Sequence, residues 1–126
     1  MDEETELPLG GLNFYARQSR QDNDKWWHDP LTGERLTARN KGELIALMHS
    51  ELSEALEAVR KDLMDDKIKH RPGEEVELAD LLIRVFDYAG EFGLDLEGAY
   101  KDKRAYNATR KDHSLEARRE AGGKKF

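Results

Sequence analysis

The chain has no cysteine, only three prolines, and no apolar run near the roughly 20 residues that a membrane-spanning helix requires. The missing cysteines exclude disulfides, thiolate catalysis and zinc–cysteine centres. Without an apolar run no membrane partner is expected, and the acidic start, Met1 to Glu6, is wrong for a secretory signal. A soluble, cytoplasmic protein is the expectation. Basic residues are also in deficit: 21 Lys and Arg face 27 Asp and Glu, a net charge of -6. That balance argues against bulk, stable nucleic-acid binding. Hydrophobic residues make up 37% and charged residues 38%. At 126 residues the chain has the length of one domain and is too short for a TIM barrel. A monomer of this composition would have a thin core, so apolar surface is expected to be buried between subunits.

What is present is unevenly distributed. Residues 1–100 carry 12 basic and 23 acidic residues, whereas residues 101–126 carry 9 and 4. An acidic body with a basic end suits a small anionic ligand bridged to the body by cations; a solvated basic tail is the plainer alternative. The breakers Pro8, Gly10, Gly11, Pro30 and Gly33 all fall in residues 1–39, which read as a loop-rich arm with at most one short helix. Within it Asp29-Pro30-Leu31-Thr32-Gly33 is a turn. Trp26, Trp27 and His28 precede that turn and could stack on a nucleobase, which makes Trp27 a candidate substrate contact; plugging the core is the commoner use of such residues.

Three helices are predicted next. The first runs from about Lys41 to Leu63 behind an Asn40 cap. The second runs from Gly73 to Phe92, entered through Pro72 and ended near Gly93. The third runs from about Asp95 to Lys111. They make residues 40–112 a helical domain, and 113–126 a basic tail that is helical in part until Gly122-Gly123. No β-strand pattern of useful length is present, so the fold class is all-α.

Placed on a wheel, Leu44, Leu47, Met48, Leu52, Ala55, Leu56 and Val59 form one broad apolar face of the first helix. Glu51 falls inside that face, Glu54 at its edge, and Glu57 points away. Acids within an apolar stripe need a partner, because an unpaired buried carboxylate is costly. The second helix is apolar around most of its circumference. Its polar residues Glu77, Asp80, Arg84, Asp87 and Glu91 share one strip about 80° wide, which should face a cavity or an ion. Glu51 and Glu54 lie three apart, as do Glu77 and Asp80. Two antiparallel helices joined by a short link can bring the pairs together. Four carboxylates at close range repel unless a divalent cation neutralises them. With neither Cys nor a suitably spaced His, the ligands are all oxygen and select Mg2+ or Mn2+. A di-iron bundle would use Glu-x-x-His, and neither His49 nor His70 has a Glu three residues before it. Capping, or pairing with Arg84 and with lysines across an interface, is the alternative use of Glu77 and Asp80.

The third helix carries the opposite chemistry. Lys103, Asn107 and Arg110 fall within about 60° of one another. Two cations and an amide on one face could hold phosphate oxygens; a surface face paired with Asp102 and Asp112 is the alternative.

Glu51-x-x-Glu54 followed, after 22 residues, by Glu77-x-x-Asp80 resembles the all-α nucleoside triphosphate pyrophosphohydrolases of the MazG type. The segments ELSEALEAV from Glu51 and ELADL from Glu77 are similar to that family's motifs, and Lys103, Asn107 and Arg110 to its K-x-x-x-N-x-x-R. The resemblance covers about residues 40–112, and the ending YNATRKDH…AGGKKF looks like phage and bacterial members. One departure is Ser50, where many members carry a second acid. The resemblance implies cleavage of a (d)NTP between the α- and β-phosphates to the monophosphate and pyrophosphate. It implies two or more Mg2+ or Mn2+ ions on Glu51, Glu54, Glu77 and Asp80, and a proton taken from water by one of the glutamates, Glu51 or Glu54. Lys103, Asn107 and Arg110 would hold the triphosphate, and Tyr106 would shape the sugar or base pocket. It also implies a homodimer or homotetramer with a four-helix-type core of antiparallel helices completed by dimerisation. The phage-like ending leans to a purine dNTP, dGTP or dATP, in nucleotide-pool control. A non-catalytic helical dimer acting as a regulatory or interaction protein is the competing reading, and a nucleic-acid module using the basic end is the third.

Overall fold

A computed structural model describes residues 10–110 and 114–126. Every regular element in that part is helical: α1 (Leu12–Asp22), a 3-10 turn (Asp24–Trp27), α2 (Lys41–Lys61), α3 (Gly73–Phe92), α4 (Leu96–Thr109) and α5 (Leu115–Arg119). No strand occurs among the described residues; two isolated bridges, His28 with Arg35 and Met64 with Pro72, close the loops on either side of α2. The chain forms two compact units that divide after Leu94.

The helix limits follow from local chemistry. The Asn40 side chain accepts from the Glu43 amide and caps α2. Pro72 leads into α3, where its missing N–H costs nothing, and Gly93 ends it at φ 63, a left-handed conformation that glycine adopts without a Cβ penalty. α2 stops at Lys61, two residues earlier than its apolar pattern, because Asp62 takes the left-handed cap at φ 53; aspartate is among the few residues that visit that region. Asp95 caps α4 through the Gly98 amide, and Ser114 caps α5 through Ala117. The sequence pattern carries α4 on to Lys111, which lies outside the described residues, as does the acidic stretch Met1 to Glu6; α4 itself ends at Thr109.

The first unit is a helix bundle in which α3 packs against both α1 and α2. Its buried apolar residues, among those described, are Ala16, Trp27, Leu44, Ala55, Ala58 and Ala89. Four of the six are alanine, so the helices approach closely but each contact buries little area. Gly90 marks the tightest point: a Cβ there would fall against the carbonyl oxygen of Ala16 and the Cβ of Arg20. Residues 10–39 are thus more structured than a loop-rich arm. α1 is a full partner of α3; Gly10 and Gly11 precede it, and Pro30 and Gly33 sit in the Asp29–Gly33 turn, where the Asp29 side chain accepts from the Leu31 and Thr32 amides.

Much of the α2 stripe stays uncovered. Ile45, Leu52, Leu56 and Val59 are all more than 40% exposed, and so are Leu78 and Leu82 on α3. The apolar face read from the wheel therefore divides: Leu44 and Ala55 turn into the bundle, Met48 is half-buried, and Leu47, Leu52, Leu56 and Val59 are exposed.

The close approach at Gly90 is testable. Gly90→Ala should lower stability by about 1–3 kcal/mol through overpacking, read as a fall in the urea midpoint at unchanged m-value. An unchanged midpoint would show that α1 does not lie against α3 at this residue.

Candidate metal centre

The two acidic pairs arise on the facing sides of α2 and α3. Glu51 is buried, at 7% exposure. Its Oε1 is held by the Nε–H of Arg84 at 2.9 Å, one turn beyond Asp80 on α3. Its Oε2 is buried with no hydrogen-bond partner, and so is Oε2 of Glu77. One ligand oxygen each from Glu51, Glu77 and Asp80 lies within 4.8 Å of the others.

Three of the four acids named from the sequence thus converge as a group. The fourth, Glu54, is exposed and lines a cleft together with Glu77. Arg84, the expected alternative partner of Glu77 and Asp80, bonds to Glu51 instead.

The electrostatics are those of a site short of positive charge. Burial pushes the Glu77 carboxyl up to about 8, reinforced by the neighbouring Glu54 and Glu51 carboxylates. Asp80 is also raised, by burial and then by the charge of Glu51, with Arg84 opposing. Among the described residues, the Arg84 guanidinium is the one ion-paired to the group, through Glu51. The residues therefore fit a divalent cation on three counts: an all-oxygen donor set, oxygens close enough to share one ion, and two buried oxygens with no proton donor. Glu51, Glu77 and Asp80 would hold it, with Glu54 beside them.

Beyond Arg84 the polar strip of α3 continues into a different environment. Asp87 is buried at 4% exposure, and both its oxygens accept from the indole N–H of Trp27, at 3.2 and 3.1 Å. Trp27 is itself buried at 2%, edge-on to Phe92, with the guanidinium groups of Arg20 and Arg39 over its ring. A ring so enclosed plugs the core and offers no open stacking face, although Trp27 still lines a cavity beside Asp87. Trp26 is only half-buried and has Arg84 over its ring. At the far end of the strip Glu91 binds Arg20 at 2.5 Å and Arg35 at 2.6 Å, tying α1 and the loop to α3.

In the second unit Lys103 and Arg110 both lie over the ring of Tyr106, at 4.9 and 5.6 Å. Three of the four residues named from the sequence as a phosphate and sugar face thus form one basic-aromatic group on α4 and its C-cap. Asn107 is exposed on the same helix.

The sequence reading did not separate Arg84 and Asp87 from the other polar residues of their strip. The signal was available in part: an Arg seven residues after Glu77 on a nearly all-apolar helix needs an acid opposite it. The indole of Trp27 on Asp87 spans 60 residues and has no local signal.

No protein-family model matches the chain, and no match is found among curated proteins or solved structures.

The raised Glu77 carboxyl gives a stability test. The folded state favours the protonated form, so its contribution is fully present below the ordinary value of 4.5 and is lost as pH rises through about 8. Without divalent cations, the melting temperature should fall between pH 6 and 9. Glu77→Gln should flatten that fall and raise the pH 9 value by roughly 2–5 °C. Mg2+ or Mn2+ should restore the wild-type value at pH 9 by binding the folded state. A melting temperature independent of both pH and cation would remove the case for a crowded carboxylate site.

Proposed function

We propose that the protein hydrolyses a nucleoside triphosphate, with a purine deoxynucleotide as the favoured substrate, to the monophosphate and pyrophosphate in a divalent-metal-dependent reaction. The observation that carries this reading is the convergence of Glu51, Glu77 and Asp80, with two buried oxygens that have no partner. Such a group costs stability and is hard to explain unless a cation completes it. The spacing of the same acids supports the pyrophosphohydrolase resemblance described above.

A bound Mg2+ or Mn2+ supplies positive charge against phosphate oxygens and acidity to a water molecule. The protein residues do the rest. Glu51, Glu77 and Asp80 hold the cation, and the Arg84–Glu51 ion pair fixes the orientation of the most buried ligand. Glu54 is the exposed member of the group and reaches solvent, which suits it to take the proton of the attacking water. On the resemblance alone, Lys103, Asn107, Arg110 and Tyr106 of the second unit are the candidates for triphosphate, sugar or base contacts.

The uncovered stripe of α2 supports self-assembly. Ile45, Leu52, Leu56 and Val59 recur at helical spacing and, with Leu78 and Leu82, form an apolar face that a second copy would bury. A homodimer, or a dimer of dimers, completes the bundle on this reading.

Incubation with each NTP and dNTP plus Mg2+ or Mn2+, resolved by chromatography, should yield monophosphate and pyrophosphate without accumulating diphosphate. Glu54→Gln and Asp80→Asn should each lower turnover by about 100-fold or more while the helical circular dichroism is retained. Near-normal turnover in either variant would overturn the assignment of the site. No turnover by the wild type with any nucleotide or metal would favour a non-catalytic helical dimer. Sedimentation should find a dimer or tetramer that Leu56→Glu weakens; a wild-type monomer would remove the assembly.

A further inference from the structure

A cavity of about 270 Å³ opens beside the carboxylate group, and two arginines stand in its wall. Arg84 comes from α3, one turn after Asp80; Arg39 comes from the loop just ahead of α2. Both side chains are half-buried, and each guanidinium lies over an indole ring, Arg84 over Trp26 at 5.4 Å and Arg39 over Trp27 at 4.9 Å. Stacking of this kind holds the plane of the fork, so less freedom is lost when it binds a ligand.

Most donors of the two forks are uncommitted. Arg84 gives its Nε–H to Glu51, and among the described residues its two Nη groups donate to nothing. Arg39 gives one Nη1 hydrogen to the carbonyl of Trp26 and none to any other described residue. A guanidinium has five N–H donors and no acceptor. Only acceptors can complete this lining, and charged oxygens do so best. Asp87, the one acid in the wall, accepts from neither arginine; it is 4% exposed and both its oxygens face the Trp27 indole N–H. The volume is below the usual range for a whole drug-sized ligand and admits a diphosphate.

We propose that this cavity takes the pyrophosphate end of the substrate, with β- and γ-phosphate oxygens accepting from Arg39 and from the Nη groups of Arg84. The proposal rests on the hydrolase reading above and adds a place for its leaving group. In that reaction the oxygen of water bonds to the α-phosphorus and the bond from that phosphorus to the bridging oxygen breaks. Pyrophosphate leaves with the electron pair, and the proton of the water goes to Glu54. Charge that develops on the leaving group then meets two guanidiniums already held in place. Arg84 joins this end to the carboxylates, because the same fork holds Glu51. Arg39 and Arg84 also share one compact unit with those carboxylates.

The test uses inorganic pyrophosphate and needs no turnover. Without divalent cations the carboxylates cannot recruit the anion, so the arginines are read alone. Titrated calorimetrically into the full chain, pyrophosphate should bind about tenfold or more tighter than orthophosphate. Arg39→Met should weaken it by about tenfold, and Arg39→Lys, which keeps the charge and loses the fork, by less. Deoxyguanosine and deoxyadenosine should not displace it from the wild type, a measurement that needs no variant to fold. During turnover, inhibition by pyrophosphate should weaken in Arg39→Met while inhibition by the monophosphate is unchanged. No binding of pyrophosphate, binding that a folded Arg39→Met leaves intact, or displacement by a nucleoside, which would give the cavity to the base, overturns the proposal. The two readings fail separately. Pyrophosphate binding that depends on Arg39, with no nucleotide hydrolysed, retains the diphosphate site and removes the hydrolase. Hydrolysis whose inhibition by pyrophosphate is the same in Arg39→Met retains the hydrolase and removes the diphosphate site.

Discussion

A carboxylate placed inside an apolar helix face has to be compensated, and in this protein the compensation for Glu51 organises the rest of the structure. Arg84 reaches across from α3 and takes one of its oxygens. The other faces Glu77 and Asp80, where no proton donor is available. One guanidinium among three carboxylates leaves a deficit of positive charge, and the deficit is visible in the raised carboxyls of Glu77 and Asp80. Repulsion within such a group opposes the packing of the two helices. Their apolar contacts, largely alanine, are modest. The proposed cation resolves the conflict, because it stabilises the folded state and prepares the chemistry at the same place.

The polar strip of α3 then reads as a sequence of environments set by what lies opposite. Glu77 and Asp80 meet acids and stay short of charge. Arg84 bridges Glu51 and the ring of Trp26. Asp87 meets an indole N–H in the core. Glu91 meets two arginines and is fully paired. Helical spacing alone makes these positions equivalent. Their partners make one a candidate ligand, one a link, one a hydrogen-bond acceptor at the back of a cavity and one a structural tie. α1 matters for the same reason: by carrying Arg20 against α3 it spends Glu91 on structure and leaves the other acids of the strip to face α2 and the cavity.

Local chemistry was legible in the residues themselves. Asn40, Pro72 and Gly93 mark helix ends because each acts on its own backbone or within one turn, so α2 and α3 could be placed within a residue or two of where they lie. The same holds for the Asp29–Gly33 turn and for the grouping of Glu51 with Glu54 and of Glu77 with Asp80 on single helix faces. α1 was harder. Its segment has glycines before it and a turn after it, and those breakers outweighed the weak apolar pattern of Leu12 to Asp22, whose helicity is secured by packing on α3.

The sequence by itself determined an all-helical chain with misplaced acids on two helices, because periodicity and capping are short-range and an acid in an apolar stripe is anomalous wherever the helix sits. Only the tertiary structure decided which acids converge, since that depends on the rotation of α2 against α3, a property of the packed pair and not of either helix. It put Glu51, Glu77 and Asp80 together and left Glu54 at the rim. It also turned Trp27 from a possible stacking surface into a core plug and placed Trp26 at the cavity, because burial of adjacent residues depends on which side of a turn the bundle covers. Hydrogen bonds across 33 and 60 residues, Arg84 to Glu51 and Trp27 to Asp87, have no local cause and arise only when the helices meet.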